Sequence, residues 1–156
     1  MSASGALSGE QFNYRGTHQP GAGTSPLHAL DGTFPDVYDR PLDYTHESGS
    51  RADNEAVSAV RAVRGKPNAT VPIYRAAPAG VTHINPGDWV TTSKTYAQSH
   101  ARHPTDPAQD MPVHSAHVPA AHVRDAQNDI LEFGYHGPAP VAVKTAQPPK
   151  KGWPDA

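Results

Sequence analysis

The stretch "VPIYRAAPAGVTHINPGDWVTTSKTYAQSHA", residues 71–101, carries the pattern on which the fold turns. With Thr70 in front it begins as "TVPIYRA", a β-branched and aromatic run that reads as a short strand. Pro72 has no N–H to give to a ladder, so this strand starts, or lies at an edge, there. "GVTHI" is a weaker strand candidate, "NPG" is a turn, and "DWVTTS" is a further strand. Ser93 can then cap a helix over "KTYAQSHARH". Polar side chains therefore fall at the ends of strands, from where they can reach into a site.

Upstream, "RADNEAVSAVRAVRG" is a helix. Ala56, Val57, Val60 and Val63 form one apolar stripe. Asp53 and Glu55 lie near its start and Arg61 and Arg64 near its end, as the macrodipole prefers. Ser50 or Asp53 can cap it, and Gly65 followed by Pro67 stops it. Phe12 to Tyr44 is loop-like, tied to the core through Tyr14, Leu27, Leu30, Phe34, Val37 and Tyr38. Downstream, "VHSAHVP", "DILEFGYHG" and "PVAVKT" read as strands, with "PTDPAQDMP" as a loop. Strands and helices do not alternate regularly, and no repeat is visible. The expected fold is α+β, with a small, mostly antiparallel sheet and a few helices. One domain is expected over residues 11–145, between a small-residue tail at 1–10 and a Pro/Lys-rich tail at 146–156 with an exposed Trp153.

Composition narrows the function classes. The 156 residues suffice for one domain with a modest core. Hydrophobic content is 36%, and the mean hydropathy is -0.64. A net charge of -2 gives no general pull toward nucleic acid or an anionic membrane. No apolar run approaches the roughly 20 residues that span a bilayer. There is no cysteine, hence no thiolate chemistry and no disulfide framework. "MSASGALSGE" lacks the features of a signal peptide. These observations together lead us to expect a cytoplasmic protein.

Three polar groups sit beside aromatic residues on separate expected strands: Arg75 next to Tyr74; Thr91-Thr92-Ser93 between Trp89 and Tyr96; and Glu132 before Phe133 and Tyr135. An arginine can clamp a phosphate in bidentate fashion. A carboxylate facing a ribose can hydrogen-bond its 2′-hydroxyl and stabilise an oxocarbenium-like transition state. Aromatic rings can flank a flat heterocycle. The same residues also fit a surface Arg–Glu pair with a helix-capping serine. His100-x-x-His103, His114-x-x-His117 and His122 offer imidazoles for zinc. On a strand, however, His114 and His117 face opposite sides, so surface histidines and no metal are expected. "PKK" near the end is a solvated pair of lysines.

"YRA" followed by "INPGDWVTTSKTYAQSHA", with "NDILEFGY" downstream, resembles the ADP-ribosyltransferase-like domains often found in bacteriophage proteins, including those attached to head-morphogenesis proteins. "NYRGTHQPG", "SPLHAL", "FPDVY" and "RGKPNATVPIYRA" extend the likeness over most of residues 12–136. The resemblance implies a split sheet with NAD, as substrate, in the cleft between its halves. The family has an Arg-Ser-Glu pattern, which maps here onto Arg75, the Thr91-Thr92-Ser93 piece and Glu132. Arg75 would hold the phosphates or the nicotinamide-side ribose, Thr91 and Ser93 would position Glu132, and Glu132 would stabilise charge as nicotinamide leaves. Tyr74, Ala76, Trp89, Thr92 and Tyr96 would contact NAD. Arg15, Gly16 and His18, in "NYRGTH", are a second candidate set for the same cleft. The position two before Glu132, a glutamate in members that modify arginine, is Ile130 here, so the protein acceptor is left open. NAD hydrolysis and a catalytically silent binding or virion-associated module are the alternatives.

Overall fold

The computed structural model describes residues 24–45 and 49–154. Two 3₁₀ segments, Leu27–Gly32, kinked at Ala29, and Pro41–Tyr44, precede helix α1, Arg51–Ala62. Then come strands β1 (Thr70–Ala76), β2 (His83–Ile84) and β3 (Trp89–Val90), and helix α2 (Lys94–Ala101). Five strands follow: β4 (Val113–Pro119), β5 (Val123–Asp125), β6 (Phe133–Tyr135), β7 (Val141–Ala142) and β8 (Lys144–Ala146).

The strands form two three-stranded sheets, ordered β1-β4-β8 and β3-β6-β5, and the pair β2-β7. All the pairings among these strands are antiparallel. With its few helices, this is an α+β fold. The two larger sheets meet at one bridge. Tyr74 N donates to Thr91 O at 2.8 Å, and Thr91 N donates to Tyr74 O at 2.9 Å. Backbone polar groups two residues apart on a strand point the same way. The missing N–H of Pro72 therefore faces away from β4, beyond the bridge, where an absent donor breaks no rung.

Local chemistry explains most of the boundaries. Ser50 caps α1 by accepting from Asp53 N at 3.1 Å. Ala52, Ala56, Val57 and Val60 form its buried stripe, and Gly65 turns the chain away with φ +72°. Ser93 caps α2 by accepting from Tyr96 N at 3.0 Å. Alternation along β1 sends Val71 and Ile73 into the main core, which also holds Leu27, Leu30, Val90, Ile130 and Phe133. Tyr74 and Ala76 face a second, smaller cluster with Ala97 and Ala101 of α2.

Three expectations are corrected. The strand expected over "DILEFGYHG" is confined to Phe133–Tyr135. Asp129 Oδ1 accepts from Leu131 N at 2.8 Å and from Glu132 N at 3.1 Å, an Asx turn that takes these donors from any ladder. "PVAVKT" divides at Val143, with β7 joining β2 and β8 joining β4. Lys150 and Lys151 are exposed, but Trp153 after them is buried rather than exposed, at 8%, against Ala76, Ala97, Ala101 and Val113. Its backbone N donates to Asp110 Oδ2 at 2.8 Å and its indole Nε1 to Met111 O at 2.7 Å. Gly152, at φ +83°, makes this approach, and a Cβ there would lie 2.9 Å from Asp110 Oδ2.

No helix among the described residues is long and apolar enough to cross a membrane.

Candidate functional site

Arg75 lies on the β1 face that carries Val71 and Ile73, and its side chain is 13% exposed. Its Nη1 donates to Trp89 O at 3.0 Å. Its Nε stands 4.0 Å from Asp88 Oδ2, a charge contact rather than a hydrogen bond. Asp88 is aimed by the turn before β3. Asp88 N donates to Asn85 O at 2.9 Å, and Gly87 supplies the φ of +95° that a type II turn requires at its third position. Asp88 Oδ2 then accepts from Asn85 N at 2.8 Å. An open depression lined by Val81, Thr82, His83, Asn85 and Pro140 borders the same turn.

Glu132, half-buried just before β6, is held at both carboxylate oxygens. Tyr96 OH donates to Oε2 at 2.6 Å and Asn128 Nδ2 donates to Oε1 at 3.2 Å. The loop that delivers Asn128 turns at Gln127, which takes φ +62° and whose N donates to Asp125 Oδ1 at 2.8 Å. The Tyr96 ring lies in an aromatic group. Its centroid is 6.1 Å from that of Trp89 and 4.5 Å from that of His100, which also meets Trp89 edge-on at 5.4 Å. Burial pushes the Tyr96 phenol well above the usual tyrosine range. The hydrogen bond to Glu132 and the charges of Glu132 and Asp129 push it further.

Arg75 and Glu132 are thus connected through two aromatic residues. Arg75 holds the Trp89 carbonyl, the Trp89 ring lies against Tyr96, and the Tyr96 hydroxyl holds Glu132.

The hydroxyls of the Thr-Thr-Ser piece go elsewhere, which corrects the expectation that Thr91 and Ser93 position Glu132. Thr91 is fully buried, and its Oγ1 accepts from Ser93 N at 3.1 Å. Ser93 Oγ donates to Glu55 Oε1 at 2.9 Å. Glu55 also receives Thr95 N on Oε1 and Thr95 Oγ1 on Oε2, each at 2.9 Å. A carboxylate from α1 thus caps the N-terminus of α2, where the helix dipole favours negative charge. Between these two residues, Thr92 is 4% exposed, and its Oγ1 is buried with no hydrogen-bond partner.

The residues expected to contact NAD fall into different surroundings. Trp89 is buried in the main core, and Ala76 is fully buried in the second cluster, so neither presents an open face. Tyr74 is partly buried against that second cluster. Burial raises its phenol pKa, and the charge of Glu55 adds to this. Arg15, Gly16 and His18 lie outside the described residues.

His114 is fully buried. Its Nε2 faces the carbonyls of Ala77 and Pro78 at 3.2 and 3.1 Å, so it carries the proton, and Nδ1 meets Thr145 Oγ1 at 2.8 Å. It ties β8 to the loop after β1, while His117 is exposed on the other face of β4. Among the described residues no group of three His, Asp or Glu side chains could hold a metal ion.

The sequence alone points to neither Glu55 nor Asn128 for the site, and offers His100 only as an imidazole for zinc. Only the i, i+4 spacing of Tyr96 and His100 on one helix signals part of this arrangement. What the cluster offers is a carboxylate fixed at both oxygens, half open to solvent, able to accept a substrate hydroxyl and to stabilise adjacent positive charge.

No protein-family model, no curated protein and no solved structure matches the chain.

Proposed function

We propose that the chain is an NAD-dependent mono-ADP-ribosyltransferase of phage or prophage type, with an ADP-ribosyltransferase-like split sheet, acting on a protein acceptor in a host cytoplasm. The observation that carries this reading is Glu132, fixed by Tyr96 and Asn128 beside the junction of two small sheets. A carboxylate so held suits a reaction in which positive charge develops on a ribose.

In the proposed reaction the bond between ribose C1′ and the nicotinamide nitrogen breaks, and its electron pair leaves with neutral nicotinamide. Glu132 accepts a hydrogen bond from the 2′-hydroxyl and stabilises the oxocarbenium-like ribose. The acceptor nucleophile then bonds to C1′ and loses its proton to solvent. Nothing is oxidised or reduced. Arg75, at the sheet junction, would hold the diphosphate or the nicotinamide-side ribose. The Thr92 hydroxyl has no partner but also no open face, so it would reach a substrate only after a local opening. With water as acceptor the same site would be an NAD glycohydrolase. Ile130, fully buried, offers nothing to orient a guanidinium, so arginine is a poor acceptor.

One observation favours a second reading, a silent relative that binds without turnover. The Ser93 hydroxyl is engaged by Glu55 rather than turned toward Glu132. Nicotinamide release from NAD, followed by NMR with and without bacterial lysate, separates the readings. Release that rises with lysate supports the transferase, and release indifferent to lysate supports the glycohydrolase. No release, with NAD leaving the protein's own spectrum unchanged, supports the silent module.

A further inference from the structure

In an Arg-Ser-Glu site the expected partner of the glutamate is a serine hydroxyl. In this chain a threonine, Thr91, stands in place of the first serine, and its buried Oγ1 accepts from Ser93 N at 3.1 Å; the remaining serine hydroxyl, Ser93 Oγ, is engaged at both ends. It accepts from Tyr96 N at 3.0 Å and donates to Glu55 Oε1 at 2.9 Å. Ser93 is fully buried, and turning its hydroxyl toward another group would break both the α2 cap and the α1–α2 link. Three residues later on the same chain, a different hydroxyl reaches the carboxylate.

We infer that Tyr96 is the positioning residue for Glu132, taking over the role that the serine of the Arg-Ser-Glu pattern would fill, with Asn128 fixing the second oxygen. The inference rests on the reading of Glu132 as the catalytic carboxylate. The geometry is specific. The phenol hydroxyl meets Oε2 at 2.6 Å, a short distance typical of a charge-assisted bond. Tyr96 is 8% exposed, so its ring has little freedom to swing away. Trp89 and His100 brace that ring from two sides, and Ala97 and Ala101 set the helix that carries it against the second core. Packing fixes the two side-chain torsions of Tyr96, and the phenol oxygen lies in the ring plane. Fixing the ring therefore fixes the donor. A serine hydroxyl rotates about its own Cβ–Oγ bond and gives less control. Asn128, on the exposed loop, supplies the Oε1 contact at 3.2 Å, and rotation of the carboxylate would break both bonds together. The high phenol pKa agrees with this arrangement, since a neutral hydroxyl donates and a phenolate would repel the carboxylate.

A positioning residue acts only through the group it positions, so Tyr96→Phe and Glu132→Gln must be non-additive. The test measures nicotinamide release at saturating NAD for wild type, Y96F, N128A, E132Q and the Y96F/E132Q double variant. Thermal melting of each variant checks its fold. The expected result for Y96F is a kcat lower by about 10- to 100-fold with KM for NAD within about two-fold of wild type. N128A should show a smaller loss of the same kind. The double variant should be no slower than E132Q alone. An unchanged kcat in Y96F, a loss confined to KM, or a double variant slower than E132Q by the full Y96F factor would overturn the inference.

A second readout needs no turnover. With ¹³Cζ-labelled tyrosine, the Tyr96 phenol should resist ionisation in wild type beyond the pH at which exposed tyrosines titrate, and E132Q should move its midpoint down. If wild type releases no nicotinamide but that shift is seen, the NAD reading fails and the Tyr96–Glu132 coupling stands. A midpoint that does not respond to E132Q overturns the coupling whatever the activity.

Discussion

Ser93 Oγ stands 2.9 Å from Glu55 Oε1, so the first turn of α2 is capped by a carboxylate that α1 supplies from 38 positions earlier in the chain. Three donors converge on Glu55: the Ser93 hydroxyl, the Thr95 amide and the Thr95 hydroxyl. Glu55→Ala leaves all three without that acceptor. Glu55 is partly open to water, which can replace some of the lost bonds, so the expected loss of stability is about 2 kcal/mol. Urea unfolding measures it. A midpoint unchanged from wild type would mean the cap contributes nothing.

The buried Thr92 hydroxyl has no partner. Thr92→Val keeps the shape and removes the unpaired polar group, so it should stabilise the fold by about 1 kcal/mol. If Thr92 donates to the substrate, the same variant should bind NAD more weakly. Thermal melting and NAD titration of one sample check both halves. A destabilised variant would indicate that the hydroxyl has a partner in solution.

Trp153 closes the second core, with both its nitrogens donating to the segment at Asp110 and Met111. Trp153→Ala should cost about 3 kcal/mol, the loss usual for a large buried aromatic. Gly152→Ala should also destabilise, because its φ of +83° is strained for any other residue and the added Cβ would crowd Asp110. Stability indifferent to both substitutions would show that the segment detaches in solution.

The raised Tyr96 phenol makes the fold sensitive to alkali. Below the ordinary tyrosine pKa, both folded and unfolded chains hold that proton, and the stabilisation is complete. Above about pH 10 the unfolded chain releases the proton while the folded chain keeps it. Stability therefore falls as pH rises from there, by up to about 1.4 kcal/mol per pH unit for this one proton. Tyr74 and Tyr135, also raised by burial, act in the same direction. Y96F should show a shallower alkaline decline than wild type in urea unfolding at a series of pH values. An equal slope would mean Tyr96 ionises like an exposed phenol.

The strands "TVPIYRA" and "VHSAHVP" were legible at their boundaries, Thr70–Ala76 and Val113–Pro119, because each carries β-branched residues over seven positions and pairs along its whole length. The two helix caps were legible because serine immediately before a helical run has one common use. The segment before Glu132 has the composition of a strand but is not one. Its apolar residues Ile130 and Leu131 are both buried in a turn, organised by the Asp129 side chain rather than by alternation. The burial of Trp153 is not legible, because a proline- and lysine-rich stretch says nothing about where one indole goes. The partners of Ser93 and Glu132 were hidden for a different reason. Glu55 and Tyr96 reach them through packing between α1, α2 and the sheets, and no local spacing in the sequence encodes that choice of hydroxyl.

The measurement that bears most directly on Glu132 as the catalytic carboxylate is NAD cleavage by wild type and Glu132→Gln, each with NAD binding measured on the same sample. The expected result is nicotinamide release by wild type, a loss of at least about 100-fold in the variant, and NAD affinity little changed, as for a group that acts mainly in the transition state. Cleavage by the variant at the wild-type rate, with NAD bound normally, would contradict it.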